Sequence, residues 1–260
     1  MKEYKSSVFG MRILTVLSIV LSVICCRPTY TLQKSEQKEY VFTDTTFSGI
    51  DSTLDKFIQP YREKMVGEMN TVLAESENAL EKGLPESRLG NFVSDACMSE
   101  SEKMFYPSDN HQADFAIFNT GGLRRSLPKG KITRGDVFEL MPFENELVVL
   151  TMDGNLVKKI SNFIASKNGA PVSGIRFIIK NKTATDIFIQ GKPLDTLGTY
   201  KMLTSDYLAN GGDSFELLKD VPRESVNLKV RDALIQYLTK SGNEKKIISI
   251  NLDGRISNAQ

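Results

Sequence analysis

Two loops with adjacent glycines carry the residue types that a phosphorylated sugar requires. The first reads Asn119-Thr120-Gly121-Gly122-Leu123-Arg124 and the second Tyr207-Leu208-Ala209-Asn210-Gly211-Gly212-Asp213. Paired glycines let a backbone approach a ligand closely or turn at positive φ. Arg124 supplies a fixed cationic fork and Asn119 a neutral amide, both suited to phosphate or sugar. Tyr207 adds a flat aromatic face and Asp213 a carboxylate. Cation, ring and acid are the groups that hold a nucleotide's phosphate, base and ribose. Each also has a plainer reading: Arg124 as a solvated cation beside Arg125, Asn119 as a residue closing a turn, Tyr207 as a core aromatic, and Asp213 as a helix cap for Ser214 to Leu218.

The elements around these loops follow from apolar spacing. Leu54, Phe57, Ile58, Tyr61, Met65, Met69, Val72 and Leu73 form a helical stripe between Asp51 and about Lys82, ended by Gly83-Leu84-Pro85. Leu89, Phe92, Val93, Ala96 and Cys97 mark a second helix reaching about Met104. A short β-prone run, Ala113 to Phe118, feeds the first loop. A short helix is expected at Val137–Leu140, and Pro142 makes Met141 to Asn145 a loop. Leu147–Met152 reads as a strand and Asn155–Ser166 as a helix. Ile175–Ile179 and Asp186–Ile189 read as a hairpin around Asn181-Lys182. Tyr200–Ser205 is a strand feeding the second loop, Val226–Leu238 a helix and Ile247–Leu252 a closing strand. Without regular βαβ alternation the class is α+β.

The bulk properties are those of an ordinary globular chain: 260 residues, 40% hydrophobic, 25% charged and a formal net charge of +1. That balance gives no electrostatic footprint for a nucleic acid polymer, so any phosphate must be held locally. Lys2, Lys5 and Arg12 precede an apolar run from Ile13 to Cys26, shorter than the roughly 20 residues of a membrane span and of signal-peptide length. Val23-Ile24-Cys25-Cys26 resembles a bacterial lipoprotein cleavage box, with Cys26 as the lipidated residue. A cleaved soluble signal and an uncleaved anchor remain open. Either export reading leaves a polar tether at 27–45 and a folded domain at 46–260. Of the cysteines only Cys97 then remains as a free thiol, on the apolar side of a helix, as a small buried hydrophobe. His111 lies in a polar loop and reads as a bystander.

Five short motifs recur in one order. Leu89-Gly90-Asn91 opens a helix running to Asp95-Ala96. Then come Asn119-x-Gly121-Gly122-x-Arg124, Ile132-Thr133-x-Gly135-Asp136, Pro142-Phe143-x-Asn145, and Tyr207-Leu208-x-Asn210-Gly211-Gly212-Asp213. Together they resemble the C-terminal domain of the 5'-nucleotidase family over roughly Leu89 to Phe215. The resemblance implies a four-layer α/β/β/α domain that recognises nucleotides. It implies that Phe143 and Tyr207 sandwich the base, Tyr207 standing where phenylalanine is usual, and that Asp213, beside Gly212, meets the ribose hydroxyls. Asn119 and Arg124 match the family's residues in the first glycine loop, and Asn145 matches an amide near the base. Ser214 stands where glycine is common. A further family arginine lies just upstream of the Leu-Gly-Asn helix; Arg88 is nearby, without matching its spacing.

A complete member of that family also carries a two-metal phosphoesterase domain, which needs several Asp, His and Asn ligands. This sequence contains one histidine, His111, and no Asp-x-His, Gly-Asn-His-Glu or Gly-His-x-His segment. The expectation is a substrate-recognition half of a split, exported 5'-nucleotidase, holding no cofactor of its own. It would be lipid-anchored in a bacterial cell envelope and paired with a separate metallophosphoesterase chain that holds the divalent metals. A stand-alone nucleotide-binding lipoprotein and a truncated product of structural value only are the alternatives.

Overall fold

The computed structural model describes residues 52–107 and 109–259. The expected leader, Cys26 and the 27–45 tether lie outside them. The chain divides into two compact units between Asp55 and Lys56. Of the first, only the opening turn of one helix is described.

In chain order the elements are α1 (Ser52–Met69), β1 (Val72–Ser76), α2 (Arg88–Met104), β2 (Phe115–Ile117), β3 (Gly130–Thr133), α3 (Arg134–Leu140), β4 (Glu146–Asp153) and α4 (Gly154–Ser166). There follow β5 (Val172–Ser173), β6 (Ile175–Lys180), β7 (Thr183–Ile189), β8 (Lys192–Pro193), β9 (Thr199–Ser205), α5 (Asp206–Ala209), β10 (Arg223–Lys229), α6 (Val230–Asn243) and β11 (Ile256–Asn258). The class is α+β. A five-stranded sheet runs β10-β4-β9-β2-β5, a four-stranded sheet β11-β6-β7-β8, and β1 pairs with β3.

The five-stranded sheet is buried on both faces, which explains why Leu147 to Leu150 is an unbroken apolar run. Successive side chains alternate. Leu147 and Val149 enter one core with Phe92, Val93 and Cys97 of α2 and Leu234 and Leu238 of α6. Val148, Leu150 and Met152 enter a second with Val157, Ile160 and Ile164 of α4 and Ile175, Phe177 and Ile179 of β6. The α4 residues are spaced three and four apart on one face, and Asp153 caps the helix by accepting from the Leu156 amide at 2.8 Å. Removing a buried isoleucine such as Ile160 costs about 2–5 kcal/mol by the usual cavity rule. Cys97 is fully buried, and burial pushes its thiol far above the ordinary range, as its apolar neighbours lead one to expect.

Three sequence expectations need correction. The first helix ends at Met69, not near Lys82. Val72 and Leu73 continue the apolar spacing, but they begin β1, which pairs antiparallel with β3, an element not foreseen. Tertiary pairing overrides local periodicity there. Val226 and Leu228 belong to β10, with the helix starting only at Val230. Their burial alternates with exposed Ser225 and Asn227, the two-residue period of a strand. The closing strand is Ile256–Asn258, parallel to β6; the 247–252 segment makes only a single bridge, Ile248 to Ser76.

Candidate functional site

Topology brings three of the five motifs to one end of the five-stranded sheet. β2 and β9 are parallel neighbours, with Phe115 beside Met202 and Ala116 beside Leu203. The loops that follow them, each with its Gly-Gly, therefore leave by the same end. β4 is antiparallel to β9, with Leu147 opposite Ser205. The Pro142–Asn145 loop that precedes β4 thus arrives at that end too.

After β2 the chain makes one 3-10 turn, Thr120–Gly122, and the buried Leu123 anchors its exit. The glycines here are not needed for positive φ. A Cβ on Gly122 would fall 2.9 Å from Asn119 Oδ1, so close approach is the reason for glycine. Asn119 Nδ2 donates to Asp213 Oδ2 at 2.7 Å, joining the two Gly-Gly loops across 94 residues of sequence.

In the second loop, Ser205 caps the short helix α5, which carries Tyr207. Gly211 turns at φ +86°. At Gly212 a Cβ would lie 2.4 Å from Tyr207 Cε1, so the tyrosine ring rests against this glycine. Asp213 adopts φ 50°, ψ 30°, and Ser214 φ 68°, left-handed backbone that costs a non-glycine residue energy and clusters at functional sites. Tyr207 Oη donates to Asp213 Oδ1 at 2.9 Å and accepts from the Asp213 amide at 3.2 Å. That bond to the carboxylate holds the phenol above its usual pKa. The helix-cap alternative for Asp213 does not hold: the following 3-10 turn, Glu216–Leu218, starts from Phe215 without a side-chain cap.

Phe143 and Tyr207 are each 42% exposed. They make no ring contact with each other; the paired rings among the described residues are Phe57–Tyr61, Phe92–Tyr237 and Phe163–Phe215. Two exposed rings on neighbouring loops at one sheet end leave flat faces available to a ligand. The Phe143 loop is braced from behind. Glu144 pairs with Lys229 and Arg231, and the Asn145 carbonyl accepts from the Val230 amide at 2.9 Å. Arg231 lies 4.3 Å over the Phe138 ring, and its buried Nε has no hydrogen-bond partner among the described residues.

Asp206 is a positioning residue that sequence reading missed. Its Oδ1 accepts from the Tyr207 amide at 2.7 Å and from the Glu146 amide at 3.2 Å. One carboxylate thus ties the ring-bearing helix to the strand that follows the Phe143 loop. Its place immediately before Tyr207 was the available signal. Arg231 had none, being distant in sequence and embedded in a helix.

The arginines are arranged differently from one another. Arg125 pairs with Glu139, whereas Arg124 is exposed and its guanidinium makes a long bond, Nη1 to the Gly121 carbonyl at 3.5 Å. Arg88 is the exposed first residue of α2, behind the Ser87 cap, and makes no bond to the glycine loops. The Asn145 side chain is half-buried beside Phe143. Among the described residues no three His, Cys, Asp or Glu side chains converge to hold a metal ion. The assembled site has the chemistry of binding: two exposed aromatic rings, a carboxylate with donors on both oxygens, and an exposed arginine.

The family described as "5'-nucleotidase, C-terminal domain" matches residues 65–220. A 5'-nucleotidase of Vibrio parahaemolyticus is 31% identical over 196 residues, covering 72% of this chain and 33% of that protein. Protein UshA of Yersinia enterocolitica is 36% identical over 135 residues, covering 49% of this chain and 24% of its own length. The crystal structure of a 5'-nucleotidase precursor from Thermus thermophilus superposes with a TM-score of 0.66 at 27% identity, over 81% of this chain and 44% of that one. The chain thus spans about a third of the length of the first of these curated relatives.

Proposed function

The chain belongs to the 5'-nucleotidase C-terminal domain family, and from that premise we propose that it is the nucleotide-recognition half of a split, exported 5'-nucleotidase. Phe143 and Tyr207 stack on the base, Asp213 accepts from the ribose hydroxyls, and Arg124 with Asn119 serves the phosphate side; Asn145 and Arg88 are carried from the family resemblance alone. The observation that supports this most is the bonded series Asn119–Asp213–Tyr207, which links both Gly-Gly loops directly beneath an exposed ring.

Hydrolysis requires a two-metal centre to clamp the attacking and leaving oxygens. The donor set among the described residues does not fit one, so the reading assigns that chemistry to a separate metallophosphoesterase chain. By the same reading, residues 1–26 act as an export leader and Cys26 carries a lipid anchor to a bacterial envelope membrane. The deciding experiment is phosphate release from AMP with divalent metal, by this chain alone and mixed with a lone metallophosphoesterase domain. Release by the partner that rises on mixing supports the split enzyme. Nucleotide binding with no effect on hydrolysis supports a stand-alone binding lipoprotein. Cys26→Ala should block processing or free the protein from membranes, and mass spectrometry of an unmodified mature N-terminus beyond Cys26 would end the lipid-anchor reading.

A further inference from the structure

The helix α1 holds its apolar side chains in solvent. None of its 18 residues is buried. Phe57 is 67% exposed, Ile58 37%, Tyr61 69% and Met65 56%. At 3.6 residues per turn these four share one face about 100° wide, with Lys56, Gln59, Glu63 and Gly67 opposite. The Phe57 and Tyr61 rings lie 6.1 Å apart, so the face is continuous. A large apolar patch left in water marks an interaction surface.

The base of this helix is fixed. A Cβ on Gly135, in the first turn of α3, would lie 3.2 Å from the Met69 carbonyl, and the Thr71 carbonyl accepts from the Arg134 amide at 2.9 Å. α3 has 7 residues, a length of about 10 Å. At its far end the Leu140 carbonyl accepts from the Arg124 amide at 2.8 Å. One short helix thus separates the root of α1 from the Arg124 end of the candidate site.

We infer that this face of α1 docks the separate metallophosphoesterase chain. The inference rests on the split-enzyme reading above and gives it an interface. The family match begins at residue 65, inside α1. The matched domain is described as C-terminal, so the rest of a longer relative lies on the side where α1 stands. Residues 70–260 are less than three quarters of this chain. The superposition on the Thermus thermophilus structure covers 81% and so extends before residue 70, while more than half of that longer chain lies outside it. Charge speaks against a lipid surface as the occupant. Asp55, Glu63 and Glu68 balance Lys56, Arg62 and Lys64 along the helix, whereas a helix lying on a membrane gathers lysine and arginine on its polar face.

The test measures the affinity of the full chain for the lone metallophosphoesterase domain of the hydrolysis experiment, with adenosine binding read on the same samples. Phe57→Glu with Tyr61→Glu should weaken the partner at least about a hundredfold, because aromatic anchors dominate interfaces. Lys56→Gln with Glu63→Gln, on the opposite face, should change it less than about twofold, as rim positions do. Adenosine affinity should be the same throughout, since no residue of α1 belongs to the candidate site. Partner affinity that survives the paired glutamates, or falls equally with the polar-face pair, overturns this interface and leaves the split enzyme standing. So does a wild-type dimer in sedimentation that the glutamates dissociate with the partner's affinity intact, which makes a second copy the occupant. Binding to phosphatidylglycerol vesicles that the glutamates abolish, again with the partner's affinity intact, overturns it in favour of a membrane. A wild-type chain that does not bind the partner at all removes the split reading and this interface together.

Discussion

Tyr207 Oη and the Asp213 carboxylate are bonded at 2.9 Å, and the Asp213 amide donates back to the same oxygen at 3.2 Å. The phenol therefore does more than keep the aromatic face of the phenylalanine usual at this place. It holds the carboxylate's orientation and helps an aspartate keep left-handed backbone. Tyr207→Phe should retain stacking but release Asp213. The expected loss of nucleoside affinity is about 0.5–1.5 kcal/mol, the worth of one net hydrogen bond. It should be smaller for 2',3'-dideoxynucleosides, because they offer the carboxylate nothing. Titration of the two ligand types side by side checks this; equal losses would show that the bond serves the loop and not the sugar.

Each exposed ring should matter on its own. Phe143→Ala or Tyr207→Ala should weaken nucleoside binding by about 1–3 kcal/mol, the usual range for a base stacked on an aromatic side chain. Unchanged affinity in the double variant, measured by calorimetry on protein with wild-type circular dichroism, would remove the sandwich.

Asp206 should act at a distance from the ligand. Asp206→Ala unties the Tyr207 helix from the start of β4, so both rings lose their common brace. A tenfold loss of affinity, about 1.4 kcal/mol, is expected for every base, with little change in discrimination between ribose and dideoxyribose. If binding falls for ribonucleosides alone, Asp206 influences the sugar side instead.

Gly212→Ala places a methyl where the Tyr207 ring lies. The ring must move, and flexible loops yield more readily than cores. Thermal stability should change little while nucleoside affinity drops at least as far as in Tyr207→Phe. A stable variant with intact affinity would show that the ring's seat against Gly212 is incidental.

Acid should loosen the domain through a cluster away from the site. Arg255 pairs with Asp95 and Asp253 and lies near Glu86. The bond from Arg255 holds the Asp253 carboxyl below its ordinary value. A carboxylate with a lowered native pKa contributes stability that is fully present above its unfolded value, about 4. That contribution fades as pH falls through the lowered one. Arg255→Ala should therefore lower the melting temperature at pH 7 and flatten its fall between about pH 4 and pH 2. Parallel melting curves for both proteins across that range would contradict it.

The fold class was legible in the sequence, and so were the residue types gathered at one sheet end; the pairing of individual strands was not. Gly-Gly loops, an arginine and exposed aromatics announce themselves through residue type, and the structure gathers Asn119, Tyr207 and Asp213 as expected. What stayed hidden depends on partners remote in sequence. Val72 and Leu73 fit a helical stripe until β3 is available to pair with them. Val226 and Leu228 look helical until β4 lies alongside. Glu144 braces the Phe143 loop through bonds to Lys229 and Arg231 spanning 85 and 87 residues, which no local pattern records. Glycine's reason also differed: Gly122 fits a crowded turn, a Cβ on Gly121 would meet only ordinary contacts, and of the four loop glycines only Gly211 has positive φ.

The sheet end shared by the three candidate loops has a consequence for how such a domain diversifies. β9 sits at the centre of its sheet, between β4 and β2, and Met202, Leu203 and Thr204 are almost fully buried. Its amide protons should exchange only through global opening, while those of the loops exchange through local fluctuation. On the proposed reading, recognition hangs from a buried central strand and is carried by surface loops, the more replaceable parts of a fold. Substitutions that retune the ligand can accumulate at the loop tips without drawing on the cooperativity of the core.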